Sequence, residues 1–183
     1  MTSCRRAFAP SLFIAALPVI LSACGGGSDS EQSATGDAAS ASAATAWNAT
    51  DACGLTGEDR VAKALGQDVV SATLDHVKEA TGTNPAMSTC TFALADGTNL
   101  TVLTRLSPVP DVTEQSLEDA RTLGGAVPPA EDVPGVGQHA FWFADVKTMQ
   151  VFYDDRRSAS LSIIGPAGGM DPKDALVAVA SLL

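Results

Sequence analysis

Residues 89–106, TCTFALADGTNLTVLTRL, predict a β-hairpin at the centre of the fold. In residues 89–94, apolar side chains alternate with small or polar ones, as in a strand that buries one of its faces. Asp96-Gly97 is the strongest hairpin signal in the chain, and residues 100–106 return as the second strand. We therefore take an antiparallel pair of strands as the starting point for the domain.

Four further strands surround this hairpin. A β-branched run predicts a strand at 69–74, and apolar runs separated by short polar turns predict strands at 140–144, 149–153 and 158–164. Helix signals divide the six strands into two groups of three. We predict an α+β domain whose antiparallel sheet has about six strands, with about three helices on one face and a possible duplicated helix-plus-three-strand unit.

Three helix starts have recognisable N-terminal signals. Each candidate N-cap is followed by an acidic residue three positions later, and the third also has a proline at its first helical position. Glycines end the first two helices, at Gly66 and at Gly124-Gly125. The predicted N-caps are Thr56, Asp111 and Asp171.

Residues 1–23 have the pattern of an export signal. Arg5 and Arg6 precede an apolar run at 12–21, LFIAALPVIL, which is too short for the ~20 residues of a membrane-spanning helix. Small residues then precede a cysteine, as at a signal-peptide cleavage site. These residues direct the chain out of the cytoplasm.

The end of this run, Leu21-Ser22-Ala23-Cys24, resembles the lipobox of bacterial lipoproteins. The resemblance implies cleavage before Cys24 and a thioether-linked diacylglycerol on its sulfur, with a further acyl chain such as palmitate on the new amino terminus. Two or more acyl chains on one protein would make a stable membrane anchor. The expected location is the bacterial cell membrane or outer membrane, with an extracytoplasmic domain. The alternative is a plain secretory signal with a coincidental cysteine.

A tether is expected to follow the anchor. Residues 24–46 are rich in Gly, Ser, Ala and Thr and contain no large apolar side chain, so we predict a lipidated, disordered segment. A flexible chain of this length spans roughly 25 Å. Trp47 is the first residue that could pack against a core, so the single domain is placed at 47–183.

The cysteines indicate a disulfide, and the net charge limits the kinds of partner that the domain can bind. With Cys4 in the signal and Cys24 lipidated, Cys53 and Cys90 remain, and an exported compartment favours their disulfide over two free thiols. The chain carries a net charge of −10, and its signal is basic, so the rest is more acidic still. Such a surface does not suit nucleic acid, which is excluded as a partner.

Four short motifs resemble a family of small bacterial lipoproteins of unknown function. They are Asp51-Ala52-Cys53-Gly54-Leu55-Thr56, Ala64-Leu65-Gly66, Cys90-Thr91-Phe92 and Pro134-Gly135-Val136-Gly137. The family has the same layout of lipobox, tether and one α+β domain with one disulfide. The resemblance implies a non-catalytic extracytoplasmic module of the sensor or accessory kind, and it supplies no catalytic residues.

No catalytic or metal-binding motif stands out. His76 and His139 lack acidic or cysteine partners at ligand spacing, so no metal site and no cofactor are predicted. Gly135-Val136-Gly137 leads into a strand and is interpreted as a turn rather than a phosphate loop. An envelope hydrolase with an unrecognised site stays open as an alternative. It requires Asp154, Asp155 or Glu131 to converge in a cleft.

Aromatic residues give the candidate binding surface. Strand pleating sends Phe141 and Phe143 to one face of the sheet and Trp142 to the other, and it separates Phe152 from Tyr153 in the same way. A sheet with helices on one face would then expose large apolar side chains on its other face, as binding sites often do. We select Trp142 and Tyr153. The alternative is that both faces are covered.

These observations favour a membrane-anchored binding, sensor or accessory module without catalysis. Its expected partners are the membrane, through the lipid anchor, and an envelope protein or a small molecule. The alternatives are the envelope hydrolase and a purely structural envelope protein.

Overall fold

The computed structural model describes residues 47–183, which form a single α+β domain. One seven-stranded antiparallel sheet and four helices make up this domain. The α+β class is confirmed, whereas the predicted counts of about six strands and about three helices are each one too low. The predicted signal, Cys24 and the tether lie outside the described residues.

The elements follow one another as two helices, three strands, a helix, four strands and a last helix, with a short 3-10 turn at Ala167–Gly169. In chain order they are α1 (Ala52–Thr56), α2 (Glu58–Leu65), β1 (Val69–Lys78), β2 (Ala86–Leu94), β3 (Asn99–Leu106), α3 (Glu114–Thr122), β4 (Glu131–Asp132), β5 (His139–Phe143), β6 (Thr148–Phe152), β7 (Arg157–Ile164) and α4 (Pro172–Ala180).

Two meanders meet in the middle of the sheet. The strand order is β1-β2-β3-β7-β6-β5-β4, so β3 of the first meander pairs with β7 of the second. The hairpin predicted at Asp96-Gly97 is confirmed: the Gly97 N–H donates to the Leu94 carbonyl at 3.0 Å. The seventh strand is the two-residue β4. It lies within residues 127–137, VPPAEDVPGVG, where the prolines and glycines predict a loop.

One face of the sheet holds the main core. Residues that pair directly across antiparallel strands point to the same side, and the buried apolar ones form one cluster with α2 and α4. On the sheet this cluster includes Cys90, Phe92, Leu100, Val102, Trp142, Met149 and Leu161.

The opposite face is covered by α3 in its second half. The Arg121 guanidinium lies 4.8 Å from the ring centroid of Phe141, and Arg121 Nη1 donates to Asp132 Oδ2 at 2.5 Å. Phe141 is 1% exposed. The prediction of helices on one face only is therefore wrong, because the phenylalanines of β5 need cover on their own side. The order of elements repeats, but the packing of the helices does not.

A disulfide and a buried hydroxyl attach α1 to the sheet. The predicted Cys53–Cys90 disulfide is confirmed, with a Cα–Cα distance of 5.0 Å. The fully buried Ser88 hydroxyl accepts from the Ala52 N–H at 2.9 Å and donates to the Ala49 carbonyl at 2.8 Å. Covalent and polar links thus fix the first helix on β2.

The predicted helix starts are only partly right. Asp171 caps α4 as expected, accepting from the Lys173 N–H at 2.9 Å. The predicted first helix is α2, and its N-cap is Gly57, at φ 79°, rather than Thr56. Thr56 is instead the last residue of α1, a short helix that the sequence analysis did not predict and that Asp51 caps. Thr113 rather than Asp111 caps α3, because Asp111 is bound by Arg105.

Candidate functional site

The two aromatic residues selected from the sequence lie on the face of the sheet that α2 and α4 cover, and both are largely enclosed. Trp142 is 8% exposed and belongs to the main core. Tyr153 is partly buried against the same core. The expected exposed aromatic face is therefore absent from the described domain. Around β5 the alternative from the sequence applies, because both faces of the sheet are covered there.

Tyr153 has a structural position. Its hydroxyl donates to the Ala180 carbonyl at 2.8 Å, near the end of α4. Its ring centroid lies 5.1 Å from that of Trp47, at the start of the domain. Burial raises the pKa of the Tyr153 hydroxyl above its usual value, so this group stays protonated and keeps donating. Tyr153 thereby links both ends of the described chain.

Trp142 differs because it forms part of a cavity wall. The cavity has a volume of about 300 Å³ and lies at the sheet edge, where the short β4 stops beside β5. We call it the Trp142 cavity. Its walls come from β5, the turn after it and the loop between α3 and β4, and they include Leu123, Val127, Pro128, Trp142, Phe143 and Val146.

The rim of the Trp142 cavity is apolar and exposed. Leu123, Val127 and Val146 are 41%, 36% and 60% exposed, which is high for large aliphatic side chains in one place. Leu123 ends α3 in the left-handed conformation, at φ 48°. Its side chain consequently borders the cavity.

A single ion pair borders the polar side of this cavity. Lys173 Nζ donates to Glu131 Oε1 at 2.6 Å, from α4 to β4. Lys173 neutralises the Glu131 carboxylate, whereas the exposed Asp145, which also lines the cavity, has no ion-pair partner in the described chain. The mouth accordingly suits a neutral, apolar group better than an anion.

A second cavity lies on the opposite face, between α3 and the sheet. It measures about 310 Å³ and is lined by both polar and apolar side chains, including Leu103, Arg105, Ser116, Gln150, Phe152 and Ser160. No side chain of α3 is fully buried, which explains why the helix leaves space beneath it. Beside this cavity, the bond from Arg105 holds the pKa of the Asp111 carboxyl below its usual value.

The acidic residues of the hydrolase alternative do not form one cluster. Glu131 lies in β4 and binds Lys173, whereas Asp154 lies in the turn between β6 and β7. Asp154 Oδ2 accepts from Arg157 Nε at 2.6 Å, and Asp154 Oδ1 accepts from two backbone N–H groups. Asp155 is exposed. Each of the two bonded acids is held by its own local partners.

The two histidines lie far apart in the fold, His76 in the first edge strand β1 and His139 in β5. Within residues 47–183, no three His, Cys, Asp or Glu side chains are placed to hold a metal ion. None of the helices described there combines the length and the apolar character that crossing a membrane requires.

Sequence reasoning found Trp142 but missed the rest of its cavity. The loop residues that complete it, Val127 and Pro128, belong to a stretch predicted only as a Pro/Gly loop. An apolar residue before two prolines is the one local signal that could have marked a fixed apolar surface there.

Comparisons with protein families, with curated proteins and with solved structures find no match for this chain.

Proposed function

We propose that this chain is a lipid-anchored extracytoplasmic binding module without catalysis, and that the Trp142 cavity is its ligand site. The observation that carries the proposal is the exposed apolar rim of this cavity, on a chain whose net charge is −10. Leaving three large aliphatic side chains in water forgoes roughly 25 cal/mol for each Å² of apolar surface. A ligand that covers them recovers this free energy.

The size and shape of the cavity support a small apolar ligand. A volume of about 300 Å³ is at the lower end of the range for small-molecule sites, which are mostly apolar with few polar groups. Trp142 and Phe143 form rigid walls, and the Glu131–Lys173 pair is the polar group beside the mouth. The ligand class is therefore a small, neutral, largely apolar molecule or group.

A fluorescent probe tests the ligand site. N-phenyl-1-naphthylamine is neutral and apolar, and its emission rises when it leaves water. Leu123→Asp and Val127→Asp place a charge on the exposed rim, where an aspartate is tolerated by the fold, and each should weaken probe binding at least tenfold. Val109→Asp, at a side chain that is 50% exposed elsewhere, is the matched control and should bind as the unaltered chain does.

The result that contradicts the proposal is equal probe binding by all four proteins. Trp142 itself is a poor test position, because removing a side chain that is 8% exposed costs roughly 3–5 kcal/mol of folding free energy.

Labelling tests the anchor. The sequence before Cys24 supports lipidation there, and in a bacterial host the chain should take up an alkyne analogue of palmitate and remain in the membrane fraction. Cys24→Ser should lose both the label and the membrane association, whereas Cys4→Ser, in the predicted signal, should keep both. Persistent labelling of Cys24→Ser would overturn this part of the proposal.

A further inference from the structure

Strand β1 is a long and exposed edge of the sheet. It spans ten residues, Val69–Lys78, and pairs with β2 on one side only. Eight of its ten residues are exposed. An edge strand of this kind presents unpaired N–H and C=O groups that can pair with another strand. Most strands are five to six residues long, so β1 offers an unusually extended edge.

Apolar side chains line this edge. Val70, Leu74 and Val77 are 69%, 39% and 50% exposed. Leu74 pairs with the fully buried Cys90 of β2, so it points to the same side of the sheet as α2 and α4. These helices do not extend over β1 far enough to bury it. Leu74 thus extends the core outward, and Val70 and Val77 lie exposed on the same strand.

Irregular backbone limits the part of β1 that can accept a partner. The register with β2 shifts between Val69 and Ser71 and again between Asp75 and Lys78, where His76 has φ 53°. Bulges of this type shorten a usable edge. The stretch from Ser71 to Asp75 remains regular, with each residue opposite one residue of β2.

We infer that two copies of the chain pair antiparallel through β1, with Thr73 opposite Thr73 of the second copy. This arrangement has a twofold axis through the strand pair, the commonest symmetry of soluble dimers. It places Ala72 opposite Leu74 of the second copy, on the helix-covered side. The apolar edge of one copy thereby covers that of the other, and the two sheets become one.

Charge complementarity selects this register. Each side of Thr73 contains one extra residue relative to β2, so the two irregularities compensate and counting outward from Thr73 brings Asp68 toward Lys78 of the second copy, twice by symmetry. Both residues are exposed, and neither takes part in an ion pair within the described chain. Opposite charges across antiparallel strands stabilise a pair, and like charges destabilise it. The edge of β1 is therefore complementary to itself rather than to a generic strand.

The expected dimer is weak. One pair of short strands buries less surface than the ≈ 1,200 Å² at which stable interfaces begin. We expect a dissociation constant on the order of 10–100 μM, the affinity range of small transient interfaces.

Sedimentation velocity of the full-length protein tests the pairing. The unaltered chain should shift from monomer to dimer as its concentration rises from 5 to 300 μM. Lys78→Asp and Asp68→Lys should each raise the dissociation constant at least fivefold, and the double variant should restore it, because the opposite charges meet again. A purely monomeric chain, single variants without effect, or a double variant that stays weak would each overturn the inference.

Cross-linking tests the register independently of affinity. With Cys4 and Cys24 replaced by serine in both variants, Thr73→Cys places two thiols opposite each other on the twofold axis, so mild oxidation in air with a copper catalyst should give a disulfide-linked dimer. Gln115→Cys introduces a thiol that is equally exposed, on α3, and should cross-link far less. Equal cross-linking of the two variants would show random encounters and would contradict the pairing of β1.

Discussion

Cys53 and Cys90 are the two residues whose pairing follows most directly from the sequence. Once the cysteines of the N-terminal segment are set aside, one pairing is left, and the structure contains it. Cys90 is fully buried in β2, and Cys53 lies in the short helix α1. A helix of five residues is not stable in isolation. The disulfide therefore stabilises a helix that has little stability of its own.

Replacing both cysteines by serine should destabilise the domain. The bond closes a loop with a sequence separation of 37 residues, so its loss is expected to cost about 4 kcal/mol in the chain-entropy account. Urea denaturation of the full-length protein, with and without the double substitution, measures this difference. A loss below about 1 kcal/mol would show that α1 is held by the Ser88 hydrogen bonds instead.

Asp111 should make stability depend on pH in the acidic range. Because Arg105 lowers its folded-state pKa, the carboxylate stabilises the fold above its unfolded pKa, near 3.9, and this contribution is lost as the pH falls through the folded value. Asp111→Asn should therefore lower the free energy of unfolding at pH 6 but make little difference at pH 2.

Denaturation curves at several pH values measure this dependence. Asp145→Asn, at an exposed carboxylate in the turn between β5 and β6, is the matched control and should not change the slope. If Asp111→Asn lowered stability equally at pH 6 and at pH 2, the Asp111 charge would not be the cause.

At the scale of the elements, strands were easier to predict than the helices around them. The alternation around Cys90 and the Asp96-Gly97 turn define a hairpin by local chemistry alone, and the structure confirms it. The two-residue β4 was missed because two residues are too few to show a strand pattern. Their extended conformation comes from pairing with β5. The face on which a helix packs is likewise a tertiary property.

The helix α3 illustrates this limit for the candidate site. Its apolar residues indicate a helix, but the sequence does not say that Arg121 lies over Phe141 on the second face of the sheet. Once α3 is there, the loop after it must return to β4 and passes the edge of β5. The Trp142 cavity arises from that path, so Trp142 could be selected from the sequence while its neighbours could not.

Two glycines allow the turn before β5 to be tested against a matched position. Gly137 and Gly66 both have positive φ, 57° and 62°. A Cβ at Gly137 would lie 2.6 Å from the Phe152 carbonyl oxygen, whereas a Cβ at Gly66 would meet nothing within 4 Å. Gly66→Ala should cost about 1 kcal/mol from the backbone alone, and Gly137→Ala roughly 2–4 kcal/mol.

Thermal denaturation of the two alanine variants gives the comparison. Because the φ angles of the two glycines are similar, the difference between the variants reports the close approach of Gly137 to β6. Equal losses of stability would mean that the loop before β5 is free to move away, and that the wall of the Trp142 cavity is less fixed than its geometry indicates.

At the scale of the whole molecule, the proposed anchor and the two apolar surfaces have separate roles. The proposed lipid at Cys24 and the polar segment after it would hold the domain near a membrane surface, roughly 25 Å away. The domain itself is acidic, and six of the eight exposed large hydrophobic side chains of the described residues lie in two places, the Trp142 cavity and the edge of β1. We assign ligand binding to the first and self-association to the second.

The most direct test of the ligand site uses the two tryptophans of the chain. Trp47 and Trp142 each give one indole N–H signal in a ¹H–¹⁵N spectrum of the full-length protein, and only Trp142 lines the proposed site. During titration with N-phenyl-1-naphthylamine, the Trp142 signal should move in a saturable way while the Trp47 signal stays in place. A Trp142 signal that does not move while the probe is bound would contradict the proposed function.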